Sequence, residues 1–155
     1  MPFPHPPLTR IALGLALLGA STPLFAQETA ESLPKGVHGC VADAHTLCLD
    51  QGRFAVTAAF QETPTGFSQP ANAVPLTDLT GNFWFFDPAN IELVVKVLDG
   101  CAGFDSFWFF SAGLTNLGVT ISVHDLVTDQ FRNYSNTFGT AFVPIQDTSA
   151  FHTCP

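Results

Sequence analysis

Short runs of alternating side chains, cut apart by turn-forming residues, constrain this chain more than any other feature. Phe54, Val56, Ala58 and Phe60 alternate with Arg53, Ala55, Thr57 and Ala59. In an extended strand that period of two sends one set to a buried face and the other outward. Residues 91–98 set Ile91, Leu93, Val95 and Val97 against Glu92 and Lys96, and residues 119–123 set Val119, Ile121 and Val123 against Thr120 and Ser122. Asp87-Pro88-Ala89-Asn90 reads as the turn that opens the first of these two runs, because proline pre-sets a turn φ. Thr128-Asp129-Gln130 reads as a turn into a strand over residues 131–135, and residues 141–145 as the last strand. Residues 63–79 carry Pro64, Gly66, Pro70 and Pro75 and read as a long loop or an irregular sheet edge. No stretch of eleven or more residues beyond the N-terminal region carries a helical stripe. The expected fold is all-β: a single antiparallel β-sandwich over residues 38–155, Ig-like in broad architecture, stapled by disulfides and carrying a long Pro-rich loop.

The N-terminal region reads differently. Residues 1–10 end in one positive charge at Arg10, residues 11–20 are uninterrupted apolar side chains, and Pro23 and Ala26 follow. This is the three-part pattern of a secretory signal, with cleavage expected between Ala26 and Gln27. A spanning helix needs about 20 unbroken apolar residues, which this run does not supply. No cysteine stands at the cut to accept a lipid. Residues 27–37 are polar, contain Pro34 and Gly36, and read as a flexible lead-in.

Removing 26 of the 155 residues leaves 129, and loss of Arg10 takes the net charge from −8 to −9. A domain of that size buries roughly two-thirds of its unfolded surface, so it needs no metal to fold. Lys35, Arg53, Lys96 and Arg132 are the remaining basic residues. Phosphate backbones and anionic membranes both demand clustered cations, so neither is an expected partner. The four cysteines, Cys40, Cys48, Cys101 and Cys154, form an even set in a chain expected to leave the reducing cytoplasm. Three pairings are open to them.

One tetrapeptide occurs twice. Phe83-Trp84-Phe85-Phe86 returns as Phe107-Trp108-Phe109-Phe110, 24 positions on. Each copy precedes an asparagine-containing turn (Asn90, Asn116) and a β-branched run, which reads as one strand–turn–strand hairpin used twice. Two copies are too few for a solenoid or propeller.

Several strings together resemble a recurrent, functionally uncharacterised module of secreted bacterial proteins. They are Leu47-Cys48-Leu49-Asp50-Gln51-Gly52-Arg53-Phe54, Phe83-Trp84-Phe85-Phe86, Asn90-Ile91-Glu92-Leu93-Val94-Val95-Lys96-Val97-Leu98-Asp99-Gly100, Phe107-Trp108 and Asp147-Thr148-Ser149-Ala150-Phe151. The resemblance covers about residues 40–151 and implies no activity and no site residue. In the module the position after the Leu-Asp-Gly triplet is usually not cysteine and often arginine; here it is Cys101, and the chain gains Cys154 as well. That paired gain favours Cys101–Cys154 as one bridge and leaves Cys40–Cys48 as a short local one. The longer bridge closes a loop of about 50 residues, worth some 3–4 kcal/mol by the chain-entropy estimate.

Three kinds of chemistry have candidate residues. In extended backbone Phe83 and Phe85 face one way and Trp84 and Phe86 the other, so both faces of the strand are aromatic. One set fills a core. Trp84, Phe86, Trp108 and Phe110 are the candidate ligand-binding residues if the other set meets solvent, where aromatic rings anchor partners. His38, Cys40, His45 and Cys48 gather metal-type side chains, but their spacing is not that of a zinc site. Asp125 and Asp129, with Asp147 further along, are the oxygen ligands a calcium ion would use, although no calcium-loop motif surrounds them. Ser111 or Ser149 with His124 and an aspartate would make a hydrolytic set, yet no nucleophile-elbow context accompanies them. Glu62 and Glu92 lack the pairing of a glycosidase site. No cofactor, metal or catalytic residue is expected.

The function this supports is a secreted or periplasmic, non-catalytic binding module that takes a protein or glycan ligand on an aromatic surface. A protease inhibitor using the Pro-rich segment, a self-assembling structural protein, and a small hydrolase are the alternatives. Homo-oligomerisation is compatible with the aromatic faces, and no membrane-spanning segment is expected once the signal is removed.

Overall fold

The computed structural model describes residues 38–155. The expected signal peptide (1–26) and lead-in (27–37) lie outside the described residues. In chain order the elements are β1 (Thr46–Leu49), β2 (Phe54–Gln61), β3 (Gln69–Pro70), β4 (Asn72–Thr77), β5 (Thr80–Trp84), β6 (Leu93–Asp99), the single turn α1 (Cys101–Phe104), β7 (Phe107–Gly113), β8 (Gly118–Asp125), β9 (Gln130–Asn136) and β10 (Ile145–Phe151). One sheet runs β1-β2-β8-β9, with β3 also paired to β2; the other runs β10-β7-β6-β5-β4. Every pairing is antiparallel. The two sheets form the expected β-sandwich.

The period of two decides what lies between the sheets. Phe54, Val56, Ala58 and Phe60 of β2 and Val119, Ile121 and Val123 of β8 are buried from one side. Phe83 of β5, Leu93, Val95 and Val97 of β6, and Phe107 and Phe109 of β7 are buried from the other. All belong to one apolar core. The rings meet directly: Phe54 lies 5.1 Å from Phe107 and 5.2 Å from Phe151, and Phe60 stacks on Phe85 at 4.3 Å. Such pairs add about 0.5–1.5 kcal/mol each to area burial.

Both disulfides pair as expected, Cys40–Cys48 and Cys101–Cys154, with Cα atoms 5.7 and 5.6 Å apart. Cys101 begins α1 and Cys154 follows β10, so the second bridge ties the chain end beside the start of β7. Among the described residues no helix is long and apolar enough to cross a membrane.

Three local expectations are refined. Residues 63–79 form an irregular edge rather than one long loop: β3 and β4 lie there, and β4 ends its sheet. Proline is tolerated at such an edge because it has no ladder donor to lose, and the β4–β5 register shifts between Pro75 and Thr77. The last strand starts at Ile145, not Ala141. Phe142 instead turns inward to the core, its N–H donating to the Thr115 carbonyl at 3.1 Å, and Pro144 precedes the strand. The repeated tetrapeptide also diverges. β5 and β6 form the expected hairpin, but β7 is followed by β8 in the opposite sheet. Both ladder edges of β7 are already taken by β6 and β10, so the next strand has no place beside it.

Candidate functional site

The doubly aromatic strands resolve into one buried and one outward set. Phe83, Phe85, Phe107 and Phe109 are buried, whereas Trp84, Trp108 and Phe110 are partly exposed and Phe86 is 57% exposed. Trp84, Trp108 and Phe110 lie on the outer side, whereas Phe86, beyond the end of β5, turns edge-on to Phe60 of the opposite sheet at 5.2 Å, so the four candidate ligand-binding residues do not form one patch. Trp108 pairs with Leu98 of β6, while Trp84 follows the Phe83–Leu93 pair. Six strand positions separate the two levels, which is about 20 Å at strand rise.

Trp108 is the centre of the larger cluster. Phe104, carried by α1 and 66% exposed, packs edge-on against it at 4.7 Å, and Phe110 lies 6.3 Å away on the other side. Lys96 Nζ sits 5.0 Å from the Phe110 ring centre. The geometry of α1 depends on Gly100. A Cβ there would lie 2.6 Å from Trp108 Nε1, so only glycine lets the chain pass over the indole. Gly100 accepts from the Phe104 N–H at 2.9 Å to close the helical turn, and the Cys101–Cys154 bridge holds that turn in place.

Beside this cluster runs an open groove of about 600 Å³ lined by Asp50, Gln51, Thr77, Asp78, Leu79, Leu98, Asp99 and Trp108. Three turns build it. Asp50, Gln51 and Gly52 take successive left-handed conformations (φ 53°, 53° and 77°) between β1 and β2, a strain that non-glycine residues adopt at a cost of about 1–2 kcal/mol each. The turn is strapped to the one between β4 and β5: the Asp50 N–H donates to the Asp78 carbonyl at 2.7 Å and the Gln51 N–H to Asp78 Oδ1 at 2.9 Å. Asp99 Oδ1 accepts the Cys101 N–H at 2.8 Å, ahead of α1. Burial, followed by the negative charges of Asp78 and Asp99, pushes the Asp50 carboxyl above its usual range. The lining contains three carboxylates and no Lys, Arg or His.

The remaining candidates fall elsewhere. Asp125 is fully buried and forms a bidentate pair with Arg53, Nε to Oδ1 at 3.1 Å and Nη2 to Oδ2 at 2.8 Å. The Val127 N–H, Thr128 Oγ1 and Thr153 Oγ1 also donate to it. Burial pushes this carboxyl up, but the hydrogen bonds from Arg53, Thr153, Val127 and Thr128 outweigh it and hold it at about 2. Its oxygens are therefore committed to the fold, not free for calcium. Asp129 is exposed and bonds His124 Nε2 at 2.8 Å. Asp147 accepts the Tyr134 hydroxyl at 2.9 Å, and burial followed by that bond raises the Tyr134 pKa. Among the described residues no group of three or more His, Cys, Asp or Glu side chains is arranged to hold a metal.

The hydrolytic set is dispersed. Ser111 is buried on the inner side of β7, while His124 stacks on Phe131 at 3.8 Å on the outer side of β8. Ser149 is exposed and its hydroxyl turns to Asp147 Oδ1 at 3.3 Å. Glu62 accepts from Gln69, and Glu92 from Asn90. His45 Nδ1 meets the Ala71 carbonyl at 2.9 Å rather than a metal partner, and Cys40 and Cys48 are bonded to each other.

The groove itself was not anticipated from the sequence. Its signals were the Asp50-Gln51-Gly52 and Leu98-Asp99-Gly100 strings, which stand far apart in the chain and carry no spacing that marks a site. No family model, curated protein or solved structure matches the chain. The fold and site define a disulfide-tied β-sandwich with an aromatic cluster beside an acidic groove, and its functional reading rests on that geometry.

Proposed function

We propose that the protein is a secreted or periplasmic, non-catalytic binding module whose ligand is a partner protein segment carrying Lys or Arg next to apolar side chains. The observation that carries this reading is the pairing of Phe104 with Trp108, the latter lining a groove with three carboxylates and no basic residue. Aromatic rings supply contact area and stack on cations. The carboxylates supply charge complementarity, and the Asp50 carboxyl, raised by burial and then by the charges of Asp78 and Asp99, would be relieved by an incoming cation. Two disulfides and the signal-like residues 1–26 support a location outside the cytoplasm. The net charge, −8 for the full chain and −9 without residues 1–26, disfavours a second copy at this acidic face.

Paired arrays of basic peptides and of neutral glycans test the proposal with the purified mature protein. Binding to Lys/Arg peptides, lost in Phe104→Ala and in Asp78→Asn/Asp99→Asn, is expected. Phe104 is mostly exposed, so its replacement leaves the fold intact. Binding to glycans alone would replace the ligand class, and a folded protein that binds neither would end the reading.

A further inference from the structure

We infer a second, separate site at the opposite end of the same sheet, built on Glu92, that accepts an ammonium group carried on an alkyl chain. Glu92 immediately precedes β6 and is only 7% exposed. Its backbone is pinned from both sides: its N–H donates to the Phe83 carbonyl at 2.9 Å, and its carbonyl accepts the Leu114 N–H at 2.8 Å. The side chain lines a groove of about 590 Å³ together with Phe86, Leu114, Asn116, Leu117 and Phe142.

The charge balance of this carboxylate is unusual. The other strongly buried carboxylate, Asp125, faces the Arg53 guanidinium at 2.8 Å. Glu92 belongs to neither ion pair found among the described residues. Its hydrogen bond from a side chain comes from Asn90 Nδ2 to Oε1 at 2.6 Å; among the described residues Oε2 receives none. Asn90 is a neutral donor and occupies one half of the carboxylate; Oε2 is not among the buried side-chain atoms left without a partner, so the other half is open to solvent and to an incoming donor.

The surroundings fit the open half. Leu114 is 84% exposed and Phe86 57% exposed. Both are large apolar groups lining the same groove as Glu92, and they match a methylene chain with a cationic end rather than a bare metal ion. A lysine side chain has that form, and so does a free alkylamine. This site is independent of the Trp108 cluster, so either can fail without the other.

The test is an NMR titration of the purified protein with Nα-acetyl-lysine amide, n-butylamine and the neutral isostere Nα-acetyl-norleucine amide. Saturable shifts at Phe86, Glu92 and Leu114 are expected with the two cations. The neutral compound should bind at least tenfold more weakly. Tighter binding of the lysine derivative than of butylamine would identify a protein side chain as the ligand, and the reverse would identify a free amine.

Glu92→Gln keeps an acceptor for Asn90 and removes the charge; it should weaken the cations at least tenfold. Glu62→Gln makes the same charge change at an exposed position and should leave them within twofold. Leu114→Ala, at a side chain too exposed to hold the fold, should weaken them about threefold through lost apolar contact. Equal shifts with the neutral isostere, or equal weakening by Glu62→Gln and Glu92→Gln, would overturn the inference.

Discussion

Replacing Asp125 with alanine is expected to cost more stability than the loss of any other carboxylate in the described residues. The side chain is fully buried and receives five hydrogen bonds, from Arg53 Nε and Nη2, the Val127 N–H, Thr128 Oγ1 and Thr153 Oγ1. Arg53 is itself 7% exposed, with its guanidinium carbon 4.1 Å from the Phe107 ring centre. In Asp125→Ala that cation stays buried, retaining its bonds to Thr153 and the aromatic face but no counter-charge. Breaking a buried pair from one side costs about 3–5 kcal/mol. With an unfolding entropy of about 2.1 cal/mol/K per residue over this domain, the melting temperature should fall by roughly 12–20 °C. Urea unfolding with both disulfides intact measures the loss, and Asp129→Asn is the control, since Asp129 is exposed, its left-handed backbone (φ 57°) suits Asn, and loss of its charge should cost less than about 1 kcal/mol. Equal, small effects of the two substitutions would refute the claim that Asp125 is a structural anion.

The same carboxyl sets an acid limit. Its folded pKa of about 2 lies below the ordinary 3.8, so its contribution of about 2 kcal/mol is present above pH 4 and is lost as pH falls through about 2; Asp125→Asn should flatten unfolding free energy across that window. Asp50 has the opposite sign: its raised pKa costs stability at neutral pH, so Asp78→Asn, which removes a repelling charge and keeps an acceptor for Gln51, should stabilise the fold by up to about 1 kcal/mol at pH 7 and weaken a basic ligand. The bridges should differ in worth. Replacing Cys101 and Cys154 by serine opens a separation of 53 residues and should cost about 4 kcal/mol, against about 2–3 kcal/mol for Cys40 and Cys48 at a separation of 8. Both are read by urea unfolding, and equal costs would contradict the loop-length argument.

What the sequence made legible was whatever local alternation determines. The strands around Phe54, Leu93 and Val119 and the inward–outward split of Phe107-Trp108-Phe109-Phe110 follow from the period of two, because a one-residue slip would exchange buried and exposed faces; in the first copy the strand ends at Trp84, and Phe86 escapes the alternation to meet Phe60. The cysteine pairing was legible from the linked presence of Cys101 and Cys154. The course of the chain after β7 was not, because it depends on β10, which begins at Ile145, 32 positions beyond Gly113, to fill the free edge. The role of Asp125 was hidden for a similar reason. Its partner Arg53 lies 72 positions away, and an aspartate at a strand end looks the same whether it caps a turn, binds calcium or neutralises a buried cation. The acidic groove joins three turns, each ordinary by itself. Only the packing of one sheet on the other, with the Asp50 and Gln51 N–H groups bonded to Asp78 across it, brings Asp50, Asp78 and Asp99 beside Trp108.

Trp108 offers the most direct measurement of the docking face, since the chain contains only two tryptophans. In Trp84→Phe the remaining indole reports on the acidic groove alone. Titrating that variant with an acetylated Lys-Leu-Lys-Leu peptide should give a saturable emission change, weakened at least tenfold in Asp78→Asn/Asp99→Asn and by high salt. An unchanged emission from a correctly folded protein, or an equal response to a Glu-Leu-Glu-Leu peptide, would contradict the account.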